Sequence, residues 1–414
     1  MSTLLPPEHA KAMAAFDHVQ RTRLVFGNGS AGRVGALSAE LGLRRILLVT
    51  DPGIVRAGHA AIVQEALESA GLQVVLFDAV IENPTTDCVE TCRRVAEQAG
   101  IDSFLGLGGG SSMDTAKGAN FLLTNGGRMQ DYWGIGLAGR QMLPLIVIPT
   151  TAGTGSECQS FALISDAKTH QKMACGDPKA AAKIAILDPE LTLSQPRNVT
   201  ACTGIDAIAH AVETSVTKKK NELSWMFSKE AFELLLPHFP TVLNQPDDLN
   251  ARGSMLLGAA MAGCAIEASM LGAAHSTANP LTAHYDIVHG QAVGMMLPHV
   301  VRFNAEEGEA REAYAELAAI GGFGQAETGD EPVEHLANRL MQLLERADMP
   351  VTLKASGVEE SMLPSLAAEA ADQWTANFNP REAGQAEMET IYSCLLYTSP
   401  SPRDQRGSRM PSSA

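Results

Sequence analysis

Basic residues are scarce in this chain. Lys and Arg total 31 against 47 Asp and Glu, for a formal net charge of −16, and the longest basic run is Lys218-Lys219-Lys220. Such an acidic balance argues against a nucleic-acid or anionic-membrane surface, while small anions can still bind through backbone N–H groups. Long apolar runs are also missing: none approaches the roughly 18–20 residues that a membrane span requires. The opening MSTLLPPEHAKAM has no basic stretch followed by an apolar one, so no secretory signal is expected there. Cysteine is sparse and unpatterned. There are 7, an odd number, and Cys88 and Cys92 are not spaced as CxxC. That predicts free thiols in a reducing cytoplasm. What remains is a 414-residue, 45% hydrophobic chain, long enough for two domains with well-buried cores.

The last residues, SCLLYTSPSPRDQRGSRMPSSA, turn abruptly rich in Ser, Pro and Arg and lose all periodicity, as a disordered tail does. CLLYTSPSPRD also resembles the translation of a transposon-type sequencing adapter, TGT CTC TTA TAC ACA TCT followed by CCG AGC CCA CGA GAC. SRMPSSA resembles that adapter's distal end. Residues 394–414 are therefore expected to be a library artefact joined to a truncated reading frame, disordered and outside the fold.

Upstream, the first half alternates short apolar runs with amphipathic segments. RRILLVTD (44–51), LQVVLFDAV (72–80), IDSFLGLGGG (101–110), LPLIVIPTT (143–151) and AKIAILDP (182–189) read as strands. AAIVQEALESAG and DCVETCRRVAEQAG read as helices stopped by glycine. The alternation predicts a mostly parallel α/β sheet. After Pro196 the signal becomes helical, with TGIDAIAHAVETSV, SWMFSKEAFELLLPHF and ARGSMLLGAAMAGCAIEAS. The expected organisation is an α/β dinucleotide-type domain over 1–197, an all-helical domain over 198–393, and the tail over 394–414.

Three features suit a nucleotide. FLGLGGGSSMDTAKG runs from strand through glycines into helix, with Ser111 placed as N-cap and Asp114 three residues on, a capping-box spacing. The free N–H groups and positive dipole end of such a helix suit a pyrophosphate, though a tight turn needs the same glycines. PTTAGTGSE (149–157) follows a second buried strand and adds Thr150, Thr151 and Thr154. Two such loops at strand C-termini mark the crevice where α/β sheets bind ligands. Asp51 closes ILLVTD, where a carboxylate can accept ribose hydroxyls and repel a 2′-phosphate; TDPG is equally a turn sequence.

The second half carries metal-type residues. Asp206 and His210 are spaced i, i+4, on one helix face, with Ile205, Ile208, Ala209 and Val212 expected as the buried stripe. Taken alone, that spacing also describes a surface pair. AHSTANPLTAHYDIVHG (274–290) adds His275, His284 and His289. Asp206 and His210 with His275 and His289 would make one carboxylate and three imidazoles, a set that suits a borderline divalent ion such as Fe(II) or Zn(II).

Together these pieces resemble the iron-dependent (type III) alcohol dehydrogenase family over residues 20–393. The motifs are GGGSSMDTAKG, PTTAGTGSE, TGIDAIAHAVE and HSTANPLTAHYDIVHGQAVGMMLPHVVRFN, with NPREA at 379–383 also family-like. The resemblance implies a dinucleotide domain, a helical metal domain, and hydride transfer in the cleft between NAD(H) and a small alcohol, aldehyde or ketone. It implies Asp206, His210, His275 and His289 as ligands of Fe(II), with Zn(II) the alternative. For the cofactor it implies Asp51, Asn83, Gly109, Gly110, Ser111, Asp114, Thr150, Thr151, Thr154, Leu163 and Lys172, and Asp51 favours NAD over NADP. It also implies a homodimer.

One position departs from the family pattern. Many members carry a histidine four residues after the first histidine of the last motif, where it relays a proton. Here that residue is Asn279, which cannot titrate. His284 is the nearest candidate relay, with a packing or pocket-wall role as the alternative; His299 reads as structural. Competing readings of the scaffold are a hydroxyacid–oxoacid transhydrogenase, a metal-independent reductase and a dehydroquinate-synthase-like lyase. The four-ligand set argues against metal independence, and no basic pocket for a phosphorylated substrate is apparent. A catalytically dead binding protein is disfavoured by the same ligands and loops.

Overall fold

The computed structural model describes residues 14–169, 171–323 and 331–396. The chain enters through β1 (Arg23–Phe26), then α1 (Val34–Glu40), β2 (Arg45–Val49), α2 (Pro52–Arg56) and α3 (His59–Ser69). It continues through β3 (Gln73–Phe77), α4 (Thr86–Ala99), β4 (Ser103–Gly108) and α5 (Gly110–Asn125). After β5 (Gly134–Ile135) come β6 (Leu145–Pro149), β7 (Phe161–Ser165), β8 (Lys172–Gly176) and β9 (Ile184–Leu187). Six strands pair in parallel in the order β1-β9-β6-β4-β2-β3. Their middle strands are buried at every position, as befits a sheet covered by helices on both faces.

That order has a functional consequence. β6, β4 and β2 are consecutive neighbours. Because they are parallel, their C-terminal ends present the threonine loop, the glycine loop and Asp51 side by side.

β5, β8 and β7 form a second, smaller sheet in which β7 and β8 run antiparallel. This hairpin is absent from the sequence reading, because FALIS and KMACG are too short and too uniformly apolar to show a period of two. Alternation nevertheless sorts its faces. Ala162, Ile164, Met173 and Cys175 pack with Val89 of α4 and Phe121 of α5. Phe161, Leu163 and Ala174 face the other way, onto Met270, Trp374 and Phe378 of the helical half. Lys172 shares that second face by alternation.

The helical half comprises α6 (Arg197–Thr214), α7 (Glu222–Asn244), α8 (Leu249–Ser269), α9 (Ala273–Tyr285) and α10 (His289–Asn304). It is completed by α11 (Gly308–Ile320), α12 (Glu331–Arg346), α13 (Leu363–Ala371) and α14 (Gln385–Leu396). Caps set several starts: Asn221 and Ser224 form a capping box on α7, and Asp248 accepts from Asn250 and Ala251 at the head of α8. α6 packs against α7, α8 and α10. It therefore does not show the single buried stripe expected of it: every residue from Gly204 to Thr214 is buried. Asp206 and His210 are 5% and 4% exposed, which rules out a surface pair.

Two smaller expectations also change. Cys394, Leu395 and Leu396, assigned to the tail, form the last turn of α14, with both leucines buried. The Leu353 N–H donates to the Leu395 carbonyl at 3.3 Å. Residues 397–414 of the adapter-like stretch lie outside the described residues. All seven cysteines are free thiols. Among the described residues, no single helix is long and apolar enough to cross a membrane.

Candidate active site

α6 and α9 meet at one buried point. Asp206 Oδ1 lies 3.5 Å from His210 Nε2, 3.4 Å from His275 Nε2 and 3.8 Å from His289 Nε2. The i, i+4 spacing aims Asp206 and His210 from one helix. His275 enters from the first turn of α9, and His289 from the first residue of α10. The rings of His210 and His275 stack 4.8 Å apart, and His289 is tilted 55° to His275. Asp206 Oδ1 and His275 Nε2 are buried and have no hydrogen-bond partner. Asp206, His210 and His275 each offer a donor atom, all within 4.8 Å of one another.

The electrostatics fit a site waiting for positive charge. Burial opposes ionisation of Asp206, yet the surrounding imidazoles hold its carboxyl well below the usual range. Burial drives His289 down to about 3, against the pull of Asp206 and helped by Lys172 and the other two histidines. Burial likewise lowers His210. His275 is the exception. Burial alone would lower it, but Glu213 and Asp206 outweigh that and raise it to about 9.

Glu213 carries no role in the sequence reading. Its Oε2 accepts from His275 Nδ1 and its Oε1 accepts from the Ala274 N–H at 2.7 Å. It lies at i+3 from His210 and i+7 from Asp206, on the same face of α6, and that spacing was the available signal.

Across the cleft the two loops touch. A Cβ on Gly110 would lie 2.9 Å from Thr154 Cγ2, and Gly108 sits at φ +139°, so glycine is required where the loops close together. Asp51 acts as a turn residue through one oxygen and leaves the other free. Oδ1 caps α2 by accepting from Gly53 and Ile54 at 2.7 and 3.1 Å. Oδ2 is turned toward Gly108. Asn83 is exposed in the left-handed region at φ 50°. Gly109, Gly110, Ser111, Thr151 and Thr154 are all partly accessible, whereas Thr150 is buried beside the glycine strand, its N–H donating to Gly108 O.

The expected cap is displaced. Gly109 is the N-cap of α5, and Ser111 lies inside the helix. A run of three glycines allows several registers, and the turn at Gly108 selects the earliest. Asp114 caps nothing. It is buried, accepting from Ser156 Oγ at 2.7 Å and from the Leu163 N–H at 3.3 Å. Lys117, fully buried, donates to Ser156 O, Ser156 Oγ and Phe161 O at 2.7, 2.8 and 2.9 Å. Asp114 thus helps tie the glycine helix, threonine loop and hairpin together. Burial lowers the Lys172 pKa, and Asp114 and Asp206 lie near enough to pull it back up.

The relay expected of His284 does not fit its position. It sits at the exposed end of α9 and pairs with Glu369 at 2.8 Å. Nine residues separate it from His275, about 14 Å at 1.5 Å per helical residue. Asn279 is one turn from His275, and its amide donates to Gln373 Oε1 at 3.0 Å. His299 is driven down to about 4 by burial, with Arg302 adding to the effect, as suits a packed neutral ring.

Behind the threonine loop, Glu157 is buried with Oε1 unpartnered, and burial raises its pKa from 4.5 to about 7, against small opposing pulls from a backbone N–H and Lys117. Between those values the folded chain holds a proton that the unfolded chain has released. Stability is therefore lost as pH rises through that window and stays low above it. Glu157→Gln should stabilise the protein by about 3 kcal/mol at pH 8 and by almost nothing at pH 4. Urea unfolding at the two values measures this; an equal effect at both would refute it.

A nucleotide-type parallel sheet precedes a helical half in which one carboxylate and three imidazoles turn to a single point, an arrangement of the class that metal-dependent oxidoreductases use. Residues 21–189 match the family model for iron-containing alcohol dehydrogenase, and residues 200–396 match the C-terminal model of the Fe-containing alcohol dehydrogenase family. The chain belongs to that family. It is 34% identical over 385 residues to choline dehydrogenase of Bacillus subtilis (strain 168), covering 92% of this chain and 94% of that one. It is 33% identical over 376 residues to NAD-dependent methanol dehydrogenase of Bacillus methanolicus, covering 90% and 97%. Among solved structures, 1,3-propanediol oxidoreductase superposes with TM-score 0.88 at 29% identity, covering 92% of this chain and 100% of that one. Sulfoacetaldehyde reductase from Bifidobacterium kashiwanohense, in complex with NAD+, gives 0.84 at 27%, covering 93% and 100%.

Proposed function

We propose that this protein is an NAD-dependent dehydrogenase in which Asp206, His210, His275 and His289 hold a divalent iron or zinc ion. It interconverts a small alcohol and its aldehyde or ketone. The observation that carries the reading is the pair of buried, unpartnered atoms, Asp206 Oδ1 and His275 Nε2, turned to one point. Buried polar atoms without partners are costly, and this donor set suits a borderline divalent cation.

The ion supplies Lewis-acid polarisation of the substrate oxygen, and the dinucleotide supplies the hydride chemistry. The chain does the rest. Asp206 would bring the one negative charge and the imidazoles neutral donor nitrogens, His275 after giving up the extra proton that Glu213 and Asp206 favour, which would leave the loaded site net positive. The N-terminal N–H groups of α5 receive the pyrophosphate. Asp51 Oδ2, turned over the glycine loop, accepts from the ribose and disfavours a 2′-phosphate. Lys172 is close enough to feel both Asp114 beside the loops and Asp206 at the metal point. Asn279 cannot titrate and His284 is distant, so proton exchange is assigned to water. The related proteins' names span methanol, choline, lactaldehyde and propanediol, which makes a short alcohol the substrate class. Seven free thiols suit the reducing cytoplasm.

The test is an anaerobic screen of short alcohols and diols with NAD and with NADP, metal content being measured on the same sample. Activity should follow bound iron or zinc, favour NAD, vanish with chelator and return with the ion. Undiminished turnover after complete metal removal would refute the reading.

A further inference from the structure

The first turn of α9 is held from behind by two buried side chains, Glu213 and Asn379. Glu213 Oε1 accepts from the Ala274 N–H at 2.7 Å, and Asn379 Oδ1 accepts from the Ala273 N–H at 3.1 Å. These are two of the free N–H groups that a helix start leaves without intrahelical partners. Glu213 also reaches His275 Nδ1 with its other oxygen. Asn379 is fixed in turn: its Nδ2 donates to Asn304 Oδ1 at 2.7 Å and to the Arg381 carbonyl at 2.8 Å, and Asn304 Nδ2 donates back at 3.1 Å. Asn304 Nδ2 also lies 3.3 Å from the buried Tyr314 hydroxyl. Gly272, just ahead of the helix, has no room for a side chain: a Cβ would lie 2.9 Å from Asn379 Oδ1 and 3.3 Å from Glu213 Oε1.

Resting on the metal reading above, we propose that Glu213 and Asn379 form a clamp that positions His275 as a ligand. Glu213 holds the proton on Nδ1, so Nε2 is the atom left to donate, and Nε2 is the unpartnered atom facing Asp206. A carboxylate behind a ligating imidazole fixes the tautomer and ring orientation and makes the donor nitrogen more basic. Asn379 fixes the backbone two residues ahead of the ring. It gives the NPREA segment a role: residues 379–381, more than 100 positions downstream of His275, close the helix start that presents it. The clamp draws on α6, α10, α11 and the segment before α14, so four parts of the fold converge on the helix start that carries the ligand.

The experiment measures Zn(II) affinity by chelator competition, and the absorption spectrum of the Co(II)-loaded protein, for wild type, Glu213→Ala, Glu213→Gln and Asn379→Ala. Unloaded samples are compared by thermal melting. Wild type should bind one ion. Glu213→Ala should bind it about 10–100-fold more weakly with a changed cobalt spectrum. Glu213→Gln, whose carbonyl still accepts from Nδ1, should recover part of both, and Asn379→Ala should weaken binding by several-fold. If Glu213→Ala fails to fold, Glu213→Gln carries the test through its smaller loss and its altered spectrum. Wild-type protein that binds no ion would overturn the metal reading itself. A wild type that binds, with Glu213 variants equal to it in affinity and spectrum, would overturn the clamp alone.

Discussion

Asp206→Asn should abolish tight metal binding and lower kcat by at least about 1,000-fold. Asp206 Oδ1 is the atom on which the cluster converges, within 3.4–3.8 Å of one nitrogen from each of the three histidines. It is the only carboxylate among the four, so it alone would bring negative charge to an ion held there among imidazoles. The amide keeps the volume of the carboxylate and loses its charge. Losing one partner of a buried charge pair costs about 3–5 kcal/mol, the same scale as that rate loss. The clean readout is linkage. Anything that binds only the folded state raises its stability by mass action. Chelator should therefore lower the melting temperature of wild-type protein and leave that of Asp206→Asn unmoved. A variant that still shifts with chelator, or still turns over at a tenth of the wild-type rate, would show that the ion is not held at this carboxylate.

The chemistry of this site was far more legible in the sequence than its support. Asp206 and His210 announce themselves by spacing within one helix, and the histidines of 275–289 by density in a short stretch. The β2, β4, β6 and β9 segments were readable for a similar reason, being apolar runs bounded by turn residues. None of that depends on what packs where. Glu213 and Asn379 matter only because α9 starts between them, at sequence separations of 61 and 106. The hairpin of β7 and β8 was invisible because both of its faces are covered, so apolar residues occupy adjacent positions. The capping error at Ser111 has another cause: with three glycines in a row, local preference does not choose the register, and the turn at Gly108 does. His284 misled because nearness in sequence suggested nearness in space, whereas a helix carries residues nine apart to separate ends.

The glycine and threonine loops bind a cofactor together only if they hold a fixed relation, and one side chain governs that relation. Lys117→Met should destabilise the protein by about 3–5 kcal/mol and raise KM for the dinucleotide. Lys117 leaves α5 about two turns past the glycine loop and is fully buried. Its ammonium satisfies Ser156 O at the end of the threonine loop and Phe161 O at the start of β7, with Asp114 Oδ1 3.9 Å away. Burial opposes the charge on both ends: it lowers the Lys117 pKa and raises that of Asp114, and each is partly restored by the other. Methionine fills the same space but strands both carbonyls and leaves Asp114 without its cation, forcing it either to stay charged in an apolar setting or to take up a proton. If the stranded carboxylate is the main cost, Asp114→Asn in the Lys117→Met background should recover about half the lost stability. Urea unfolding of the two single variants and the double variant decides this. Additive losses would place the cost in the carbonyls of Ser156 and Phe161 instead, and an unchanged KM would separate the stability of this joint from the geometry of the cofactor cleft.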